Sequence, residues 1–318
     1  MNGLKKWWKM LKQTVADFLG NKILKLSAAL AYYTIFSLPG LIILIIWISD
    51  IFYGHKAVEG SVYGQIESLV GKEAALQIQD TIRNATLSSE SGFATVIGVI
   101  TLVIGATSVF GEIQDSINQI WRLKAKPKKG KGLIKLLVNR LLSFSMIITL
   151  GFLMLVSLVI NTLMDALIGR LTQVFPSMEV IVAYIFNLVL TFFITALLFG
   201  IIFKVLPDAR IKWRHVRAGA FTTALLFMGG KFLIGYYLGH SKMSSAYGAA
   251  GSIIVVLLWV YYSAMILYFG AAFTRVYAIQ NGSHIYPNNY AVWVEQVEVE
   301  SEKSIQAQPV EVKSERQS

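Results

Sequence analysis

IIVVLLWVYYSAMILYFGAAFTRVY, residues Ile253–Tyr277, carries no charge before Arg275. A helix crossing the hydrocarbon core needs about 20 mostly apolar residues, and this run is long enough. Five further runs read the same way: Ala28–Ile51, Phe93–Phe110, Leu141–Leu163, Ile181–Val205 and Ala220–Leu238. Inside lipid every backbone amide must be satisfied internally, so only helices and closed barrels span. Barrel strands alternate apolar and polar residues over short segments, whereas these runs are continuous. The sequence therefore predicts an all-α membrane protein with six transmembrane helices within residues 21–279.

Charge sets the expected orientation, because Lys and Arg gather on the cytoplasmic flanks of spans. Six lysines precede the first run. Eight bases, from Arg122 to Arg140, lie between the second and third, and five, from Lys204 to Arg217, lie between the fourth and fifth. The three opposite loops hold only Lys56, Lys72, Arg83, Arg170 and Lys242. Both termini are thus expected in the cytoplasm. The net charge of +11 is concentrated in those flanks, so it needs no nucleic-acid partner to explain it. The chain has 55% hydrophobic residues and no cysteine, which excludes disulfides, thiolate metal sites and cysteine nucleophiles. The first apolar run is too long for a signal h-region and is expected to remain as a span.

Residues 1–20 read as an interfacial amphipathic helix. Leu4, Trp7, Trp8, Leu11, Val15, Phe18 and Leu19 share one arc, with Lys5, Lys6, Lys9 and Lys12 outside it. Pro39 removes an amide donor from the first span and predicts a hinge near Ser37. Residues 54–92 are acidic and predict one or two short helices on the outer face. Beyond the second span, Ile113, Ile117 and Ile120 continue the helical period as an amphipathic extension ending at Trp121. Residues 280–318 form a polar segment expected to be a disordered cytoplasmic tail, with six glutamates against three bases from Glu295 onward.

Enzyme signatures are missing. His55, His215, His240 and His284 are scattered, with no HExxH, no GxSxG and no dinucleotide or phosphate-binding glycine pattern. The expectation is a non-enzymatic protein with neither cofactor nor metal. Lys231, about 12 residues into the fifth run, is the sharpest polar signal, since an ionisable group at that depth is costly. It either serves a function or snorkels to the outer surface, roughly 10 Å away. Its helical row runs Gly219, Thr223, Phe227, Lys231, Gly235 and Gly239, mostly small or polar. Tyr32, Tyr33, Tyr261, Tyr262, Thr223 and Asn187 are further candidates for a polar path, each with plain hydrogen bonding or packing as the alternative. Arg275 reads as an interface anchor.

Several motifs together resemble a known family. Ser27-Ala-Ala-Leu-Ala-Tyr32-Tyr33-Thr34-Ile-Phe-Ser37-Leu-Pro39 is similar to the first-span signature of the YihY/BrkB family of bacterial inner-membrane proteins. Ile117-Asn-Gln-Ile-Trp121, Leu206-Pro207-Asp208 with Trp213-Arg214, and Tyr247-Gly248-Ala-Ala-Gly251 leading to Leu258-Trp259-Val-Tyr261 extend the match over residues 20–280. The resemblance implies a six-helix bundle in the bacterial inner membrane and a loose assignment as a transporter linked to the envelope. A ribonuclease label attached to that family finds no support in these residues.

The resulting expectation is a transporter or flippase-like protein for an amphipathic, anionic envelope molecule. Lys231 would meet the headgroup. Arg210, Lys212, Arg214, Lys128 and Lys129 would contact anionic lipid, and a homo-oligomer is compatible with the sequence. The alternative is a non-transporting membrane scaffold whose tail and basic loop recruit partners.

Overall fold

The computed structural model describes residues 3–37, 76, 92–126, 179–240, 249–282, 285–288 and 291–295. Pro39, Lys128, Lys129, the Leu141–Leu163 span, the residues after 295 and all of 54–91 except Leu76 lie outside them. The described chain runs α1 (Gly3–Gly20), α2 (Ile23–Ser37), α3 (Gly92–Ile120), β1 (Leu123–Ala125), α4 (Glu179–Val205), β2 (Ala209–Arg210), α5 (Trp213–His240), α6 (Ala249–Gln280), β3 (Tyr286–Pro287) and β4 (Ala291–Trp293).

Three helices are long and apolar enough to cross a membrane among the described residues, at Leu188–Val205, Trp213–Tyr237 and Ile254–Gln280. They coincide with the fourth, fifth and sixth expected spans. The second lies within α3, and the first begins in the shorter apolar helix α2. Many large apolar side chains, among them Leu225, Phe232, Leu233 and Tyr236, point outward from α5. Such a surface suits lipid, which offers apolar side chains no penalty.

The α5–α6 pair is built on a reciprocal exchange of small and branched residues. Thr223 on α5 packs onto Gly270 on α6, and Thr274 on α6 packs onto Gly219 on α5. Each threonine hydroxyl donates to the carbonyl four residues back, Thr223 to Gly219 and Thr274 to Gly270, both at 2.7 Å. The polar atom is therefore satisfied within its own helix before it meets the neighbour. A Cβ added at Gly270 would fall 2.9 Å from Thr223 Cβ, so only glycine permits this approach. On the other side of α5, Phe192 stacks on Phe221 at 5.7 Å and Phe199 meets Phe227 edge-on at 5.7 Å, seating α4.

At the basic end of the bundle the motifs of α3 and of the loop before α5 meet. Trp121 is fully buried, and its Nε1 donates to the Ala271 carbonyl at 2.9 Å. Asp208, 2% exposed, accepts from Gln114 Nε2 at 3.0 Å and Asn118 Nδ2 at 3.1 Å. Its backbone amide donates to Asn118 Oδ1 at 2.8 Å. Asn118 thus reads both the side chain and the main chain of Asp208. The isoleucine spacing did predict the α3 extension, with Ile113, Ile117 and Ile120 buried.

The stretch after α6 departs from the expected disordered tail. Gly282, at φ +68°, ends the helix with its amide donating to Ile279 O at 3.1 Å. The chain then returns over the basic end. β3 pairs antiparallel with β2, and β4 pairs antiparallel with β1, placing Trp293 opposite Leu123. Trp293 Nε1 donates to Ile285 O at 3.1 Å, and Asn288 N donates to Asp208 O at 3.0 Å. Polar composition hid these strands because their hydrogen bonds go to other loops and little apolar surface is buried.

Helix α1 also differs in one respect from a helix lying free in the headgroup plane. Met10 and Thr14 are buried against the protein, Trp7 stacks on Phe273 at 6.1 Å, and Phe18 meets Phe269 at 5.9 Å. Arg275 is not a bare anchor: its guanidinium bridges Asp17 at 2.8 Å, tying α6 to α1. Trp8 remains 72% exposed and Leu19 65%, so an apolar face is left over beside the lysines.

Two stability outcomes follow from this packing. Gly270→Ala should cost about 1–3 kcal/mol by overpacking, and Thr223→Ala in the same chain should recover most of it. Thermal unfolding in detergent measures both; equal losses in the single and double variants would mean that the seam is not the point of strain. Asn118→Ala should cost about 1.5–3 kcal/mol by weakening the bonding of a buried carboxylate, and Asp208→Asn should cost less. The same melts, read as midpoints, check that order.

Candidate functional site

The interlock between α5 and α6 fixes where their remaining polar groups fall. Proceeding away from the basic end, Gly230 admits the ring and hydroxyl of Tyr262, which a Cβ there would strike. One residue on, Lys231 is half-buried, and Tyr261 and Tyr262 are likewise half-buried on α6. Further along, a Cβ at Gly235 would meet nothing within 4 Å, while the adjacent Ile234 still packs against the buried Val255 of α6. The small residues at Gly219 and Gly230 are therefore there for close packing, whereas Gly235 sits beside open space.

Lys231 continues a row whose earlier members are all engaged. Gly219 and Thr223 pack on α6, and Phe227 touches Phe199 and, at 6.2 Å edge-on, Trp259. The row then reaches Lys231, one turn before the open space beside Gly235. Lys231 lies nine residues from His240, so roughly 14 Å of helix separates it from the end of α5. An ammonium held at that depth in an apolar helix attracts a phosphate or carboxylate far more strongly than it would in water. Tyr262, whose hydroxyl lies over the preceding residue Gly230, brings a hydrogen-bond donor to the same level, and an ammonium with a phenol is suited to holding an anion.

The other expected path residues do not gather there. Thr223 is fully buried and its hydroxyl is already spent on Gly219 O, so it belongs to the seam. Tyr32, 58% exposed, and Tyr33 lie on the outer face of α2, Tyr32 packing on Phe36 at 4.6 Å. Helical period explains this, because Ile23, Ser27, Leu30 and Ala31 form the buried face and leave both tyrosines opposite. Asn187 lies on α4, with its side chain outside the described residues. Arg210, Lys212 and Arg214 are exposed at the basic end, and Lys204 turns back to donate to Ile211 O at 2.6 Å. Among the described residues no group of three His, Asp or Glu is placed to hold a metal.

Sequence reasoning passed over a second polar cluster. Glu112 and Ser116 on α3 lie one turn apart, and Ser116 Oγ donates to Glu112 Oε1 at 3.2 Å. The hydroxyl of Tyr268 on α6 lies next to Ser116 and within the field of Glu112. The available signal was a glutamate and a serine at i and i+4 on the buried side of an extension whose isoleucines were already assigned to the core.

Comparisons with known proteins agree with the architecture. A UPF0761 membrane protein of Stenotrophomonas maltophilia strain K279a is 26% identical over 258 residues, 80% of this chain and 57% of its own length. One of Pseudomonas aeruginosa strain PAO1 is 26% identical over 261 residues, 80% of this chain and 59% of its own. The chain therefore spans well under two thirds of those relatives. A UPF0761 membrane protein of Pseudoalteromonas atlantica is 26% identical over 252 residues, 78% of each chain. No solved structure matches. The profile of the virulence factor BrkB family matches residues 14–290, covering α2 to α6 and both motif-bearing loops, so this is a membrane protein belonging to that family.

Proposed function

We propose that the protein is a bacterial inner-membrane transporter or flippase-like protein for an amphipathic, anionic envelope molecule. The observation that supports this reading is Lys231, a half-buried cation within a spanning helix, one turn before the open space beside Gly235. Its neighbour Tyr262 offers a donor to the same anion. An amphipathic substrate would keep its chains in lipid and present its headgroup to Lys231 through the open space beside Gly235. The exposed Arg210, Lys212 and Arg214 would collect anionic lipid at the basic end, taken here as the cytoplasmic side. No bond is made or broken in this scheme, and the protein acts without a cofactor.

A scaffold is the second reading, and the clamp at the basic end favours it. There the chain after α6 is knitted to two loops by β pairing and by Asn288 to Asp208, a construction fit to present a fixed surface to a partner.

Reconstitution distinguishes the two. In proteoliposomes, the wild-type chain should accelerate transbilayer movement of labelled anionic lipid. Lys231→Ala should slow that movement on the order of tenfold or more, the effect of losing a charge-assisted contact of about 1.4 kcal/mol or above. Lys231→Arg should retain part of it. Acceleration that survives Lys231→Ala would move the path away from α5, and folded protein that moves no lipid would leave the scaffold.

A further inference from the structure

Tyr268 is 0% exposed, and its hydroxyl is sealed from solvent with no hydrogen bond of good geometry. A buried phenol almost always has a partner, because leaving the donor unmet costs free energy. Ser116 of α3 lies next to the hydroxyl, and the Glu112 carboxyl, bonded to Ser116, acts on it through its charge. Ser116 is 1% exposed and directs its proton to Glu112 Oε1. Around these three groups the surfaces are apolar, with Ile113, Ile117 and Leu267 all buried. Among the described residues, Glu112 is the acid whose charge acts on the phenol.

The charge balance at Glu112 completes the picture. Burial pushes its carboxyl above the usual glutamate range, the Ser116 hydrogen bond opposes that shift, and the neighbouring Asp115 carboxylate adds to it. Asp115 is exposed and on the same helix, while α6 presents the neutral phenol of Tyr268. The carboxyl is half-buried, so water can reach it from one side.

We propose that Glu112, Ser116 and Tyr268 form a reversible proton-binding site between α3 and α6. Glu112 takes a proton from hydronium, releasing water and becoming a neutral acid. In that state its new O–H donates to the Ser116 oxygen, and Ser116 turns its own proton to the Tyr268 oxygen. When the proton leaves, Ser116 donates to the carboxylate and Tyr268 donates to the Ser116 oxygen. The phenol thereby gains a partner in both states, which the sealed hydroxyl otherwise lacks. This site does not rest on the transport reading, and it lies on a different pair of helices from Lys231.

Infrared spectroscopy of the full chain in lipid bilayers across a pH series tests it. The wild-type protein should show a protonated-carboxyl band that titrates above the ordinary glutamate value of 4.5 and disappears in Glu112→Gln. Tyr268→Phe should shift the band's frequency while keeping the titration. Ser116→Ala should move the midpoint further up, because the hydrogen bond it removes favours the ionised form. A raised carboxyl binds its proton more tightly in the fold. Its stabilisation is present below the unfolded-state value and is lost as pH rises through the folded midpoint. Thermal melts should therefore show wild type losing ground to Glu112→Gln across that same interval. A band that survives Glu112→Gln, that is unmoved by Tyr268→Phe, or that is already gone at the ordinary glutamate value would overturn the proposal.

Discussion

The contact on which the rest of this bundle depends is the exchange of threonine for glycine across α5 and α6. In lipid there is no hydrophobic drive to push two apolar helices together, so association depends on close packing and satisfied polar atoms. Gly219 and Gly270 remove the side chain where the partner's threonine arrives, and the two threonines are each bonded within their own helix. Because the exchange is reciprocal, sliding one helix by a residue would break both contacts at once. That fixes register, and register places Tyr262 over Gly230, Lys231 at the edge of the seam, and Tyr268 on the side of α6 that meets α3.

The same register brings Trp121 under Ala271 and lets the basic end be assembled from three separate stretches of chain. A buried carboxylate such as Asp208 is costly unless its lone pairs are used. Here Gln114, Asn118 and the chain after α6 converge on that residue. Arg275 and Asp17 apply the same logic one layer away and hold α1 in place. The result is a bundle clamped by polar contacts at one end and packed mainly by small residues and rings along its length.

Much of this could be read in the chain before folding. Apolar length marked the helices, and isoleucine period marked the α3 extension, because burial in both cases is written as a repeating pattern. Lys231 was legible for a related reason: one charge stands out in an apolar run. What could not be read were pairings between distant residues. Nothing in Leu206-Pro207-Asp208 says that its acid will be met by Asn118, and nothing in Ala291–Trp293 says that it will find β1. The faces taken by Thr223 and Tyr32 were equally hidden, because polarity alone does not say which face of a helix a side chain occupies. Thr223 is locked in the seam, and Tyr32 points outward.

The two polar clusters differ in what surrounds them, and that difference assigns them different work. Lys231 lies one turn from the open space beside Gly235, from which a group carried by another molecule can approach it. Glu112 and Tyr268 lie where α3, α6 and the basic-end clamp are held together, and there only something as small as a proton can come and go. Protonation changes the charge of a half-buried group beside the contact between α3 and α6. It therefore alters the cost of keeping those helices together without requiring any large ligand. A bundle clamped at its basic end is the kind in which such a local change alters packing along α6, the helix that carries both Tyr268 and Tyr262.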